Sequence, residues 1–160
     1  MPALGNKLHL YLETTVFNYY FDNDREGHGD VARLLESIGS GQFAGYASEY
    51  VLDELRAASE PKRSNMLALI ERYGIITLAN SPTAEYLANL YIQAGVIPAS
   101  HPVDSLHIAT ASVYRLDCVV SYNFAHINRN KTRIKTTNIN NDAGYGGVII
   151  CTAKEVLSDE

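Results

Sequence analysis

The chain of 160 residues carries a net charge of −5, with 46% hydrophobic and 19% charged residues. That length can bury a sizeable core, and the acidic balance argues against a dedicated nucleic-acid-binding module, which shows a basic excess. No apolar run approaches the roughly 20 residues of a membrane span, residues 1–7 do not resemble a secretory signal, and two cysteines inside apolar runs do not make a disulfide scaffold, so a cytoplasmic protein with one domain over residues 1–160 and no membrane partner is expected.

Residues 7–12 read as a short first strand, 14–18 as a turn out of it, and 22–27 as a polar loop. Val31, Leu34, Leu35 and Ile38 recur at helical spacing and predict a helix that ends at Gly39 and Gly41. Residues 43–47 form the second predicted strand. Ser48 then caps a helix bearing Val51, Leu52, Leu55 and Ala58. Pro61 starts another, striped by Met66, Leu67, Leu69 and Ile70. Gly74 closes it, and 75–78 is a third strand. Ser81-Pro82-Thr83 opens a helix with Leu87, Leu90 and Tyr91 inward, ended by Gly95. After a loop at 98–102, a helix runs over 103–116. Residues 118–121 form the fourth strand, 138–147 a loop rich in Asn and Gly, and 147–151 the fifth strand. Strands alternating with helices in this way predict a parallel sheet covered on both faces.

Four acid or amide positions fall where strands end or helices begin. Glu13 follows the first strand, Glu54 lies on the helix after the second, Asp104 opens the 103–116 helix and Asn123 follows the fourth strand. In an open parallel sheet, residues beyond the carboxyl ends of the strands converge in space while far apart in sequence. Oxygen ligands gathered there suit a hard cation such as Mg²⁺ or Mn²⁺, the usual machinery for attacking a phosphodiester. A cation also offsets the negative charge of such a pocket, so the net charge of −5 does not speak against a nuclease.

Each position also has a plainer reading. Asp104 can simply complement a helix dipole. Asn123 can be a turn residue. Glu54 sits beside the apolar stripe of its helix, whereas Asp53 falls nearly opposite it and faces solvent. Glu13 is the sharpest case, because a carboxylate directly after a buried strand is costly unless it is paired, hydrogen-bonded or bound to metal. His107, one turn from Asp104, reads as a satisfied core histidine. The basic run Arg129, Lys131, Arg133 and Lys135 reads, taken alone, as a solvated loop.

The segments Leu10-Tyr11-Leu12-Glu13-Thr14-Thr15-Val16-Phe17, Val51-Leu52-Asp53-Glu54-Leu55, Asp104-Ser105-Leu106-His107-Ile108-Ala109-Thr110-Ala111 and Val120-Ser121-Tyr122-Asn123-Phe124-Ala125-His126-Ile127 resemble the successive motifs of PIN-domain proteins. The resemblance spans nearly the whole chain, and its Asp104 and Ser121 segments are the most specific. It implies a three-layer α/β/α sandwich with a central, mostly parallel sheet of about five strands. It also implies an acidic pocket for Mg²⁺ or Mn²⁺ and ribonuclease activity on single-stranded RNA. An antitoxin protein and a second copy of the chain become expected partners, since many relatives are toxins of toxin–antitoxin pairs.

Carried over by position, Glu13, Glu54 and Asp104 would hold the metal and form the catalytic set with Asn123. Thr14 and Thr15 would orient Glu13, and Tyr122, His126, Arg129 and Lys131 would touch substrate. Two positions depart from the common pattern. Glu13 stands where most of the family has Asp, and Asn123 where Asp is common. The second change removes a charge, so a rival expectation is a weakened metal site in a nucleic-acid-binding or regulatory module.

Overall fold

The computed structural model describes residues 6–158, so residues 1–5 of the amino-terminal segment read above lie outside it. Five short strands form one sheet: β1 (His9–Leu12), β2 (Ala44–Ser48), β3 (Ile76–Leu78), β4 (Cys118–Val120) and β5 (Ile149–Cys151). Their order across the sheet is β3-β2-β1-β4-β5, and every neighbouring pair is parallel. Strands buried on both faces need apolar side chains pointing both ways. Accordingly Leu10, Tyr11, Leu12, Val119 and Val120 are fully buried.

Helices α1 (Thr14–Phe21), α2 (His28–Gly39), α3 (Glu49–Arg56), α4 (Lys62–Arg72), α5 (Pro82–Gln93), α6 (Pro102–Val113), α7 (Asn130–Ala143) and α8 (Ala153–Ser158) cover the sheet. Among them α1 meets α2 and α2 meets α8, while α5 packs on α6 and α7. The result is the expected α/β/α sandwich. No helix among the described residues is long and apolar enough to cross a membrane.

From β1 the chain builds outward through β2 to β3, then returns to place β4 on the other side of β1. The direction of build-out therefore reverses between β1 and β4, and an open α/β sheet presents its ligand crevice at such a switch point. Glu13 and Ser121 are the residues that directly follow those two strands.

Several sequence expectations hold closely. Val31, Leu34, Leu35 and Ile38 are the buried face of α2. The Ser48 hydroxyl caps α3 by accepting from the Val51 amide at 3.3 Å, and Ser81 caps α5 through the Ala84 amide. Helix α6 buries Ser105 and the run His107 to Ser112.

Two expectations are corrected. Residues 14–18 begin helix α1 rather than turning. The β-branched run Thr14-Thr15-Val16 has weak helix propensity, but the Glu13 carboxylate accepts from the Thr15 amide and so caps the first turn. Burial of Val16 and Phe17 adds about 1.5–3 kcal/mol each.

Residues 138–147 are not a loop throughout, because α7 runs from Asn130 to Ala143 and takes in most of the basic run. Its buried face is Thr132, Thr136 and Asn140, four residues apart. The Thr136 hydroxyl donates to the Thr132 carbonyl at 2.6 Å. The Asn140 amide donates to Ser112 Oγ at 2.8 Å, and its oxygen accepts from the Tyr91 hydroxyl. A helix seated by hydroxyls and amides shows no apolar stripe.

Candidate metal centre

Glu13 leaves β1 at the switch point with its backbone amide donating to the Val120 carbonyl, so it is held between β1 and β4. Its side chain is only 3% exposed. One carboxylate oxygen accepts from the Thr15 hydroxyl at 2.5 Å, the Thr15 amide at 3.2 Å and the Ser121 hydroxyl at 2.8 Å. Burial pushes the Glu13 carboxyl above its ordinary range, and this outweighs the nearby His107 charge and the three hydrogen bonds, which act the other way. A proton or a cation would offset the charge of a carboxylate desolvated in this way.

Glu54 reaches the same place from α3. Its Oε1 accepts from the Thr14 hydroxyl at 2.5 Å and lies 2.7 Å from His107 Nε2. Burial alone would raise this carboxyl, but the His107 hydrogen bond and charge, helped by Thr14, hold it below the ordinary range. Asp53 on the same helix points outward, as its angular position predicts.

His107 is fully buried on α6, with Nδ1 2.6 Å from the Tyr11 hydroxyl, which is 2.7 Å from Ser48 Oγ. Burial would depress its pKa. The Glu54 hydrogen bond and the charges of Glu13, Glu54 and Asp104 together reverse that and raise it. The ring is thus a satisfied core histidine, and it also balances the carboxylates around it.

One oxygen each from Glu13 and Glu54 and one nitrogen of His107 lie within 4.8 Å of one another. The two carboxylates are chemically reasonable donors for a divalent cation, while the His107 ring, with both nitrogens hydrogen-bonded, stands beside them. Asp104, in the first turn of α6, is not in that group among the described residues. Its Oδ2 instead pairs with His126 Nδ1 at 2.8 Å, and the His101 ring lies 4.2 Å from that of His126.

Asn123 follows Ser121, whose hydroxyl accepts from the Asn123 amide at 3.0 Å. The Asn123 side-chain oxygen accepts from the His126 backbone amide at 3.0 Å, so it shapes the turn that presents His126. Thr14 and Thr15 share the orienting work, Thr14 on Glu54 and Thr15 on Glu13. The Tyr122 amide donates to Thr15 Oγ1 at 2.8 Å, linking it to the same network. Arg129 precedes α7 with Nε against Thr132 Oγ1, and Lys131 lies exposed in the first turn of that helix.

Sequence reading gave His107 only a packing role. The signal for more was its spacing, one turn after Asp104 on a helix apolar all round. A roomier hollow of about 560 Å³ opens at the opposite end of the sheet, against Leu8, Cys118 and Ile149, away from this cluster.

The chain matches the model of the PIN domain over residues 10–130, which takes in Glu13, Glu54, Asp104, His107 and Asn123. No curated protein matches it. Among solved structures it is similar to VapBC2 from Rickettsia felis bound to a DNA fragment from their promoter. That likeness has a TM-score of 0.58 at 19% identity, covering 89% of this chain and 97% of the other. PIN domains are generally nucleases that use a divalent metal. With about three quarters of its length inside the matched region, and Glu13 and Glu54 brought together at the sheet's switch point, the chain belongs to the PIN-domain family.

Proposed function

We propose that the chain is a Mg²⁺- or Mn²⁺-dependent endoribonuclease that cleaves single-stranded RNA, and that it is the toxin of a toxin–antitoxin pair. The observation that carries the reading is the buried Glu13 carboxylate gathered with Glu54 beyond the carboxyl ends of the strands, with ligand atoms within 4.8 Å of each other. Glu13 and Glu54 would hold the cation, with Asp104 on its flank. When bound, the cation supplies Lewis acidity toward a phosphodiester and offsets its charge.

The chain's own groups do the rest. Thr15 and Ser121 fix the orientation of Glu13, and Thr14 that of Glu54. Asp104 holds the His126 ring while Asn123 holds its backbone, so His126 is set to contact substrate at the rim. Tyr122, Arg129 and Lys131 extend that rim. The antitoxin partner is supported by family membership together with the likeness to VapBC2, and a second copy of the chain is a further partner.

The test is cleavage of a labelled single-stranded RNA with Mn²⁺ or Mg²⁺. The wild type should cut, chelation should stop it, and Glu13→Gln should reduce cutting at least a hundredfold. A wild type that leaves RNA intact with either metal, or a Glu13→Gln protein of full activity, would sink the nuclease reading.

The second reading is a binding or regulatory module, and one observation favours it. The Asn123 oxygen is engaged by His126, and the position adds no charge to the centre. Under that reading RNA binds but is never cut, and manganese leaves the melting curve unchanged.

A further inference from the structure

Two adjoining hollows of about 410 and 380 Å³ run from Thr15, beside the metal centre, along the carboxyl edge of the sheet to Thr152, just after β5. Tyr19, Arg25 and Tyr122 line both, which makes them one groove. Its floor is aromatic. The Tyr19 and Tyr122 rings stack with centroids 4.1 Å apart and 22° between planes. Phe124 meets Tyr122 edge-on at 6.2 Å and 87°. Phe124 is 55% exposed, whereas the Tyr122 behind it is 8% exposed.

This ledge is held firmly. The Ala153 amide donates to the Tyr122 hydroxyl at 3.2 Å, and a Cβ on Gly27 would come within 3.1 Å of the ring. The turn that carries Phe124 is closed by the Asn128 amide on the Asn123 carbonyl at 2.8 Å and by the Asn128 side chain on the Ser121 carbonyl at 2.9 Å. The Phe124 ring thus stands half exposed on a fixed turn and meets the stacked tyrosines edge-on through Tyr122.

Charge along the groove suits a polyanion at its ends. Lys62 lies at the Thr15 end and Lys154 at the Thr152 end. The Arg25 guanidinium sits 5.3 Å over the Tyr19 ring and pairs with Asp22. Asp30 is paired with Arg33, and Glu26 is the remaining acid of the groove wall.

We propose that Phe124, backed by Tyr122 and Tyr19, is a stacking platform for an unpaired base of single-stranded RNA, placed two residues beyond Tyr122, whose amide is bonded to Thr15 at the metal centre. This rests on the nuclease reading above and names how its substrate is gripped. Every base offers a π-face, so the platform selects unpaired strands over duplex rather than one sequence. Lys62 and Lys154 take the flanking phosphates.

The test is binding of a short single-stranded RNA carrying 2-aminopurine, followed by fluorescence in metal-free buffer so that cleavage does not interfere. Stacking should quench the probe on the wild type. Phe124→Ala should weaken binding by about 5- to 150-fold and abolish the quench, and Phe124→Trp should restore both. Because Phe124 is exposed, the melting temperature of the alanine variant should match the wild type. Equal affinity and equal quench for Phe124→Ala and wild type would overturn the platform. If wild type and Phe124→Ala cut RNA equally in the metal-loaded assay and bind it equally here, the platform fails while the nuclease reading stands. If the wild type neither binds nor cuts RNA, both fall.

Discussion

Glu13 and Glu54 share one pocket but respond to acid in opposite senses. Glu54 is held below its ordinary range, so its contribution to stability is present above about pH 4.5 and is lost on acidification. Glu13 is raised, so what it contributes is present in acid and is lost as pH climbs past the same value. His107 is raised too. Its stabilisation is complete below about pH 6.5 and disappears as pH rises through its folded-state value. In metal-free protein the stability gap between wild type and His107→Gln should therefore shrink from pH 6 to pH 9, as read by urea midpoints. A gap that stays constant would mean that folding leaves the pKa of the ring unchanged.

Asn123 belongs to the same scale. An aspartate there would keep the oxygen that accepts from the His126 amide and would add a charge beside the centre. Asn123→Asp should thus bind Mn²⁺ more tightly, by calorimetric titration, without loss of the turn. Unchanged affinity would remove position 123 from the metal's surroundings.

At the scale of elements, what was legible follows from which groups do the packing. Apolar periodicity located α2 to the residue set Val31, Leu34, Leu35 and Ile38, because those side chains are what holds it. The same signal is silent on α7, whose seat is Thr132, Thr136 and Asn140. Burying such groups is tolerable only when each is hydrogen-bonded, and that depends on Ser112 and Tyr91, which are remote in sequence. Asn140→Leu should therefore destabilise the protein, by about 1–3 kcal/mol for each partner left unsatisfied, despite adding apolar surface. Denaturant unfolding would measure it, and a neutral result would show that Tyr91 and Ser112 find other partners.

The site was legible for a related reason. Glu13 was conspicuous because a charged group follows a buried strand, a local conflict visible in one dimension. The pairing of Asp104 with His126, and of Glu54 with His107, was not visible. Those contacts arise only when α6 is laid between α3 and the turn after β4.

For the whole molecule, folding energy and metal binding are linked. The fold brings a desolvated carboxylate up to a second acid, and a cation that binds only this arrangement stabilises it by mass action. At a hundred times its dissociation constant the gain is about 2.7 kcal/mol, which raises the melting temperature of a chain this size by roughly 5–10 °C. Glu13→Gln should abolish that rise and leave the metal-free protein at least as stable, because it removes a buried charge while keeping an oxygen for Thr15 and Ser121. A manganese-dependent shift that survives Glu13→Gln would place the ion elsewhere.

The switch point between β1 and β4 also bears on how the chain is made. The Ser121 hydroxyl that fixes Glu13 is translated 108 residues after it, just past the strand that completes the middle of the sheet. At a synthesis rate of roughly 5–20 residues per second, about 5 to 20 seconds separate the two. During that interval β1 lacks its β4 neighbour and the Glu13 carboxylate lacks the Ser121 hydroxyl. The order of strands in space thus leaves the orientation of Glu13 incomplete until β4 has been made.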